Sequence, residues 1–338
     1  MNEFYNRRNF IKTAAAAGVG FGLTKNVKDM LSREKNSFIS GNKVGIIGLD
    51  TSHSVAFAQT LNDPAAANDL GGYKVVAAFP QGSHDIESSV SRIPGYTKEI
   101  EKLGVEIVSS IEELIKKVDV VLLETNDGRI HLEQALPVLK AGKRMFIDKP
   151  VAASLADVFS IFEASKKYNT PIFSSSSLRY FENAQDIEQG KSGRVIGADI
   201  FSPATLEKTH SDLFWYGIHG VELLFTVMGT GCKNVYRVFN NDNEIVVGQW
   251  DNNRIGTFRG IRTGKKDYGG IVFGEKDIFT IKPPTGYRSL LVKIIEFFQT
   301  GKPPVTPEET LEIYTFMEAA HQSSRKNGTA VSLASVAH

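Results

Sequence analysis

The stretch Lys43-Val-Gly-Ile-Ile-Gly-Leu49 decides the fold of this chain. It is typical of a short buried strand, because it is an apolar run bounded by glycine. Five similar apolar stretches follow it, and segments with helical patterns separate them. These later strands are predicted at 73–79, 105–108, 118–123, 144–147 and 171–173. Strands that alternate with helices predict a parallel sheet with right-handed crossovers, which binds ligands at the carboxyl ends of its strands.

After about residue 176 the pattern changes. Six strands follow with connections too short for crossover helices, so they predict a large, mainly antiparallel sheet. They are placed at 195–201, 234–239, 244–249, 254–262, 268–273 and 277–281. Two helices, 289–299 and 307–327, close the chain. The predicted fold class is therefore α/β, with a doubly wound parallel sheet first and an α+β domain second.

Composition limits the possible functions. The chain has 338 residues, about enough for two domains, and 41% hydrophobic with 23% charged residues is ordinary for a globular protein. A net charge of +1 provides no basic surface for nucleic acid. The single cysteine, Cys232, excludes an intramolecular disulfide and a thiolate zinc cluster.

The N-terminus has the pattern of an export signal. Arg7-Arg-Asn-Phe-Ile-Lys12 has the spacing of a twin-arginine motif, and the apolar run 13–23 follows it. That run is shorter than the ~20 residues that span a bilayer. Residues 1–41 are therefore expected to be signal and tether, and the mature protein to be periplasmic without a stable membrane span. The twin-arginine translocase, which carries folded proteins, is the expected export partner.

Four motifs together resemble the Gfo/Idh/MocA family of sugar and polyol oxidoreductases. They are Val44-Gly-Ile-Ile-Gly48, Ala141-Gly-Lys-Arg-Met-Phe-Ile-Asp-Lys-Pro150, Ser192-Gly-Arg-Val-Ile-Gly197 and Gly301-Lys-Pro-Pro-Val-Thr-Pro-Glu-Glu309. Their order and spacing carry the resemblance, which covers nearly all of the mature chain. In its expected export by the twin-arginine route, the chain resembles the glucose–fructose oxidoreductases of this family, which keep a nicotinamide tightly bound.

The resemblance implies a Rossmann domain at 42–175 and a substrate and oligomerisation domain at 176–338. It also implies hydride transfer between tightly held NAD or NADP and a sugar, glycoside or polyol carbon. The sheet face of the second domain often forms oligomers in the family, so a homodimer or homotetramer is expected.

Two residues are the candidate catalytic groups. Lys149 matches the lysine of the family's Glu-Lys-Pro motif, with Asp148 in place of glutamate. Its ammonium would polarise the reacting hydroxyl, and burial is expected to lower its pKa. His219 matches the histidine of the family's Asp-x-x-x-His helix and would take the hydroxyl proton.

The substrate side departs from the family in one place. Trp215 stands where the family has aspartate, and its indole is suited to packing on a sugar ring. Tyr216 is another candidate for substrate contact. Arg179 and Tyr180 match an Arg-aromatic pair that follows the sixth strand. Each of these residues has a structural role as an equal alternative.

The phosphate-binding fingerprint is altered. The pattern Gly-x-Gly-x-x-Gly would fall on Gly48, Asp50 and His53, and the second strand ends without the usual acidic residue. Asp50 could cap the following helix, and Thr51 and Ser52 could do the same or hydrogen-bond a displaced phosphate. The residues expected to contact the cofactor are Gly48, Leu49, Asp50, Thr51, Ser52, His53, Ser83, Thr125, Asn126, His131, Asp148 and Lys149.

Two alternatives to the oxidoreductase stay open from the residues. The altered loop could be sealed, which would leave a carbohydrate-binding protein without redox chemistry. The enzyme could instead be a non-redox sugar lyase or hydrolase. A metal site is not expected, because no closely spaced histidine pair stands beside the acidic candidates.

Overall fold

The computed structural model describes residues 41–282 and 286–336. The predicted export signal lies outside the described residues. The described residues belong to one compact unit. Within the described part, every helix is too short or too polar to cross a bilayer.

The first sheet has the strand order β3-β2-β1-β4-β5-β6, and all its paired strands are parallel. Its strands are β1 Lys43–Ile47, β2 Lys74–Phe79, β3 Glu106–Ile107, β4 Val120–Leu123, β5 Met145–Ile147 and β6 Ile172–Phe173. The helices around it are α1 Ser52–Asn62, α2 Glu87–Val90, α3 Ile93–Lys102, α4 Ile111–Lys117, α5 His131–Lys140 and α6 Leu155–Lys167. The order reverses between β1 and β4, which is where such sheets bind ligands.

The sequence explains these elements locally. All four residues of β4 are buried, because helices cover both faces of a parallel sheet. Ser110 caps α4 by accepting a hydrogen bond from the backbone N–H of Glu113 at 3.1 Å. The Glu113 carboxylate accepts from the N–H of Ser109, one residue before the cap, at 3.0 Å. Ser110 therefore marks the start of this helix, and the Glu113 carboxylate binds the residue before the cap.

The second sheet has the order β12-β11-β7-β10-β9-β8-β13. Its pairs are antiparallel except for β7 with β10, which confirms a mainly antiparallel sheet. The strands are β7 Val195–Pro203, β8 Cys232–Phe239, β9 Asn243–Trp250, β10 Ile255–Ile261, β11 Gly269–Gly274, β12 Ile278–Ile281 and β13 Val331–Ser332. The helices of this half are α7 Glu182–Glu188, α8 Ile218–Met228, α9 Arg288–Thr300 and α10 Pro307–Arg325.

The last two helices connect the halves. Leu290, Ile294 and Phe298 of α9 are buried in the hydrophobic core of the first sheet. The Tyr314 hydroxyl of α10 accepts a hydrogen bond from the N–H of Val151, just beyond β5, at 2.6 Å. These contacts fix the carboxyl end of β5 against the second half of the chain.

One face of the second sheet is open. Its inner face packs on α8 and α10, but several large apolar side chains on the strands remain exposed. They include Val238, Ile255, Ile271, Phe273 and Ile278. An exposed apolar patch of this kind is typical of a surface that meets another protein chain.

Candidate active site

Lys149 lies directly after β5, and its side chain is buried. Its Nζ is 3.5 Å from a carboxylate oxygen of Asp148. Burial alone would lower the lysine pKa, but the effects of Asp148, Tyr216 and Glu124 together outweigh burial and the pKa is raised. The expectation of a lowered pKa is therefore wrong, because that expectation omitted the neighbouring carboxylate. Lys149 is a charged donor that can polarise an oxygen.

His219 lies in the first turn of α8. A short π-helical segment, Leu213–Gly217, leads into this helix, and such segments often occur at functional sites. Burial lowers the pKa of His219 well below its ordinary value, and the nearby Lys149 ammonium lowers it further. The imidazole is therefore neutral at pH 7 and able to accept a proton.

Hydrogen bonds fix the orientation of His219. Its Nδ1 lies 2.7 Å from the Ser176 hydroxyl, which leaves Nε2 available to a substrate. Ser176 is held in turn by Glu222, whose carboxylate accepts from the Ser176 N–H at 2.8 Å and from the Ser175 hydroxyl at 2.7 Å. Sequence analysis did not identify Ser176, because its role depends on a contact with a residue 43 positions away.

Aromatic side chains surround this histidine. The Tyr216 ring lies 5.1 Å from the His219 ring, centre to centre, and the Tyr216 hydroxyl is 3.0 Å from that of Tyr268. Trp215 packs instead against His210, with ring centres 4.8 Å apart. Of the predicted substrate-side residues, Tyr216 therefore lies beside His219. Tyr268 also lies there, and sequence analysis did not identify it.

Arg179 and Tyr180 are buried among other protein side chains. The Arg179 guanidinium is buried and binds the carboxylates of Glu222 at 3.0 Å and Glu309 at 2.6 Å. Tyr180 is also buried, and burial raises its pKa. The substrate-binding interpretation of Arg179 is not supported by these contacts, because two carboxylates already occupy its charged end. Arg179 instead supports Glu222, and through it the His219 site.

The turn after β1 keeps only part of the phosphate-binding design. Gly48 has φ +88°, and any side chain there would collide with Thr125 at the end of β4. Leu49 is fully buried, Thr51 is the N-cap residue of α1, and Ser52 is exposed. Thr51 makes no side-chain capping hydrogen bond. The capping expectation for Asp50, Thr51 and Ser52 is therefore wrong.

Asp50 binds the neighbouring loops instead of the helix. Its buried carboxylate accepts hydrogen bonds from the N–H groups of Ser83 and Asn126, both at 3.0 Å. A Cβ on Gly82 would collide with the same carboxylate. Asp50 thus joins the ends of β2 and β4 at the switch point of the sheet, and its charge occupies space beside a phosphate path.

A second set of contacts closes the same loops. The Ser83 hydroxyl donates to Asp127 at 2.9 Å, and Arg129 binds both Asp127 and Asp85. His210, from the second half of the chain, accepts from the Gly128 N–H at 3.2 Å. Protein contacts therefore bring Ser83 and Asn126 together, and their contact with a cofactor stays a prediction.

His131 is also used structurally. Its ring nitrogens lie 2.7 Å from the Thr125 carbonyl oxygen and 3.1 Å from that of Val151. Burial lowers the pKa of His131, so the ring is neutral. It links the ends of β4 and β5, and this role replaces the predicted cofactor contact.

The turn after β1 fits a dinucleotide only in part. The hydroxyls of Thr51 and Thr125 are buried and have no hydrogen-bond partner in the described chain, so a bound polar group would satisfy them. The Asp50 carboxylate, next to Thr51, already takes the N–H groups of Ser83 and Asn126. The free hydroxyls therefore fit a polar ligand, but these two loop N–H groups are held by Asp50 and do not face a phosphate.

A protein-family model matches the part of the chain that contains the first sheet. Residues 42–175 match the sequence model of the Gfo/Idh/MocA group, described as an oxidoreductase family with an NAD-binding Rossmann fold. Myo-inositol 2-dehydrogenase of Thermotoga maritima is 33% identical over 100 residues, which are 29% of this chain and 30% of that protein. The curated relatives are matched over less than a third of their own length.

Solved structures share the whole fold. A probable dehydrogenase from Thermotoga maritima has a TM-score of 0.71 at 21% identity, over 87% of this chain and 99% of its own. Scyllo-inositol dehydrogenase from Lactobacillus casei, solved with NAD(H) and scyllo-inositol, has a TM-score of 0.67 at 16% identity, over 87% and 100% of the two chains. At these identities the similarity shows the fold.

Proposed function

We propose that this protein transfers a hydride between a nicotinamide dinucleotide and a hydroxyl-bearing carbon of a sugar, glycoside or polyol, since residues 42–175 match the model of the Gfo/Idh/MocA oxidoreductase family. The observation that carries the proposal is the meeting of charged Lys149 and neutral His219 at the carboxyl end of β5. This pair has the two properties that alcohol oxidation needs, a cationic donor and an unprotonated base.

Lys149 and His219 have different roles in the proposed reaction. The Lys149 ammonium donates a hydrogen bond to the substrate oxygen and stabilises the negative charge that develops there. His219 accepts the hydroxyl proton at Nε2, while Ser176 holds Nδ1. Bound NAD or NADP would supply the hydride acceptor, with Thr51 and Thr125 as its nearest free polar groups. In the reverse direction, His219 returns the proton to the new alkoxide.

The substrate class follows from the rings and from the relatives. Tyr216 is half-buried beside His219, and aromatic faces pack well on sugar rings. Relatives of the first domain include a myo-inositol 2-dehydrogenase and a 1,5-anhydro-D-fructose reductase. These observations support a cyclic polyol or sugar as the substrate.

A direct measurement of bound cofactor tests the proposal. We expect the purified full chain to release a nicotinamide dinucleotide on denaturation, detected by absorbance and mass spectrometry. Its redox state should change when myo-inositol, scyllo-inositol or 1,5-anhydro-D-fructose is added before denaturation. If the protein released no dinucleotide and its Tm were unchanged by NAD or NADP in either redox state, the proposed hydride transfer would be rejected.

The Asp50 contacts favour a second candidate, a carbohydrate-binding protein whose dinucleotide crevice is closed. If this is correct, Asp50→Gly should bind NADH at least tenfold more tightly than the natural chain, because it removes both the charge and the bridge between the loops. Asp50→Asn is the matched control, since it keeps the side-chain volume. Fluorescence titration with NADH measures both variants, and tight binding by the unaltered chain would reject this candidate.

We propose in addition that the open face of the second sheet joins copies of this chain. Ile271 is 43% exposed at that face, near Phe273 and Ile278. We expect Ile271→Arg to give monomers in light scattering, because an interface core excludes an unpaired charge. Leu206→Arg, at a residue that is 49% exposed outside the sheet, is the control. An unchanged mass for Ile271→Arg would contradict the proposal.

Export by the twin-arginine route stays part of the proposal. Its support is the motif Arg7-Arg-Asn-Phe-Ile-Lys12 and the short apolar run behind it. A bound dinucleotide would suit this route, because the route carries folded proteins. Cell fractionation of the full chain measures the location.

A further inference from the structure

Three ionisable side chains meet beneath the Lys149 site. His53 comes from the first turn of α1, Glu124 follows β4, and Asp148 follows β5. The His53 Nδ1 lies 3.1 Å from an oxygen of Asp148 and 4.0 Å from an oxygen of Glu124. One potential ligand atom from each residue lies within 4.8 Å of the others. The three strand and helix ends therefore form one compact cluster.

The cluster lacks the hydrogen bonds that buried polar groups need. Glu124 and Asp148 are both 0% exposed. None of their four carboxylate oxygens, nor Nδ1 of His53, has a hydrogen-bond partner in the part of the chain that the structure describes. The 3.1 Å contact of His53 with Asp148 is an ion-pair distance without hydrogen-bond geometry. Buried oxygens left unpaired in this way point to a missing water or ion.

The charges make an ion the better match. In the part of the chain that the structure describes, Lys149 lies 3.5 Å from Asp148, whereas neither carboxylate oxygen of Glu124 has a hydrogen-bond partner. Two buried carboxylates thus lie beside one lysine ammonium, and a bound cation would balance the second negative charge.

We propose that His53, Glu124 and Asp148 bind a divalent first-row transition metal ion, with Zn²⁺ and Mn²⁺ as the test ions. One imidazole nitrogen and two carboxylate oxygens are ligands that these metals accept. Ligand bonds of about 2 Å place ligand atoms roughly 3 to 3.5 Å apart, so the 3.1 Å spacing of His53 and Asp148 already fits and the 4.0 Å spacing of His53 and Glu124 has to shorten. Three protein ligands would leave at least one position for water or substrate.

The position of the site gives the metal a role. Lys149 contacts the same Asp148 that would bind the ion. A metal there would lie next to the group proposed to polarise the substrate oxygen, and it would act on the same oxygen as a Lewis acid. The metal site does not depend on hydride transfer, since metal binding can be measured without substrate or dinucleotide.

The test measures metal content first. We expect the full chain, purified without chelator, to contain close to one transition-metal ion per chain by mass spectrometry. After dialysis against a chelator, Zn²⁺ or Mn²⁺ should raise its Tm. Glu124→Gln should weaken binding of the added ion by more than about 100-fold, because it removes a ligand directly.

Glu124→Gln is expected to fold, because glutamine keeps the shape and volume of the glutamate side chain. Far-UV circular dichroism checks this, and His53→Gln provides a second variant with the same expected loss. Glu312→Gln is the matched control, because that carboxylate accepts N–H bonds from Gly231 and Cys232, outside the cluster. A metal-free natural chain with a Tm indifferent to both ions, or equal affinity in Glu124→Gln, would overturn the proposal.

Discussion

Lys149→Met is expected to lower kcat by about 10²- to 10⁴-fold, the range that a positioned proton donor or acceptor contributes. The methionine keeps the length of the side chain and removes the ammonium that would stabilise the developing alkoxide. The loss should fall mainly on kcat, because the interaction strengthens as charge develops on the oxygen. Steady-state kinetics with myo-inositol, scyllo-inositol or 1,5-anhydro-D-fructose, whichever the natural chain oxidises or reduces, provides the measurement.

Lys143→Met is the control for this variant. Lys143 lies just before β5, at the opposite end of the strand, and its Nζ donates to the Val118 carbonyl at 2.8 Å. Its replacement should leave turnover unchanged. Dinucleotide binding should also be similar in the natural chain and in Lys149→Met. If Lys149→Met retained full kcat with its fold intact, the proposed role of the lysine would be rejected.

The fold could be predicted closely because its signals are local. Each strand of the first sheet is an apolar run, and caps such as Ser110 are read directly from neighbouring residues. Both sheets are where the patterns place them. The division at residue 175 stays a prediction, although α9 returns to pack in the core of the first sheet. That return depends on contacts between distant parts of the chain.

The site was predicted less well, for the same physical reason. Lys149 and His219 could be located from motifs, but what their neighbours do depends on which loops meet. Asp50 illustrates this, because its N–H partners lie 33 and 76 residues away. Glu124 was missed entirely, since one acidic residue after a buried strand has no pattern of its own. Its importance comes from the burial that it shares with His53 and Asp148.

Arg179→Met is expected to destabilise the protein by about 3–5 kcal/mol, because it leaves buried carboxylates without their cation. The Arg179 side chain is 3% exposed and those of Glu222 and Glu309 are 6% and 19% exposed, so solvent screens the Glu222 pair little. Arg194→Met is the matched control. Arg194 pairs with Glu275 at 3.0 Å, but both side chains are about half exposed, so water screens the pair and its loss should change stability little.

The penalty of Arg179→Met should depend on pH in a defined direction. Burial already raises the pKa of Glu222, and Arg179 opposes that rise. Without the arginine the folded pKa of Glu222 rises further above its unfolded value, so the variant loses stability as pH increases through that range. Thermal unfolding from pH 5 to pH 8 should therefore show a gap between variant and natural chain that widens with pH. A constant gap would mean that Glu222 stays ionised in the variant.

The same variant tests how the histidine is positioned. Glu222 holds Ser176, and Ser176 holds Nδ1 of His219, so Arg179→Met should lower kcat at a temperature where the protein is still folded. Adding Glu222→Gln should recover part of the stability, because it removes the unpaired charge, but the weaker amide acceptor should leave kcat low. Stability and turnover would then separate in one pair of variants. Recovery of both together would show that Arg179 acts only through global stability.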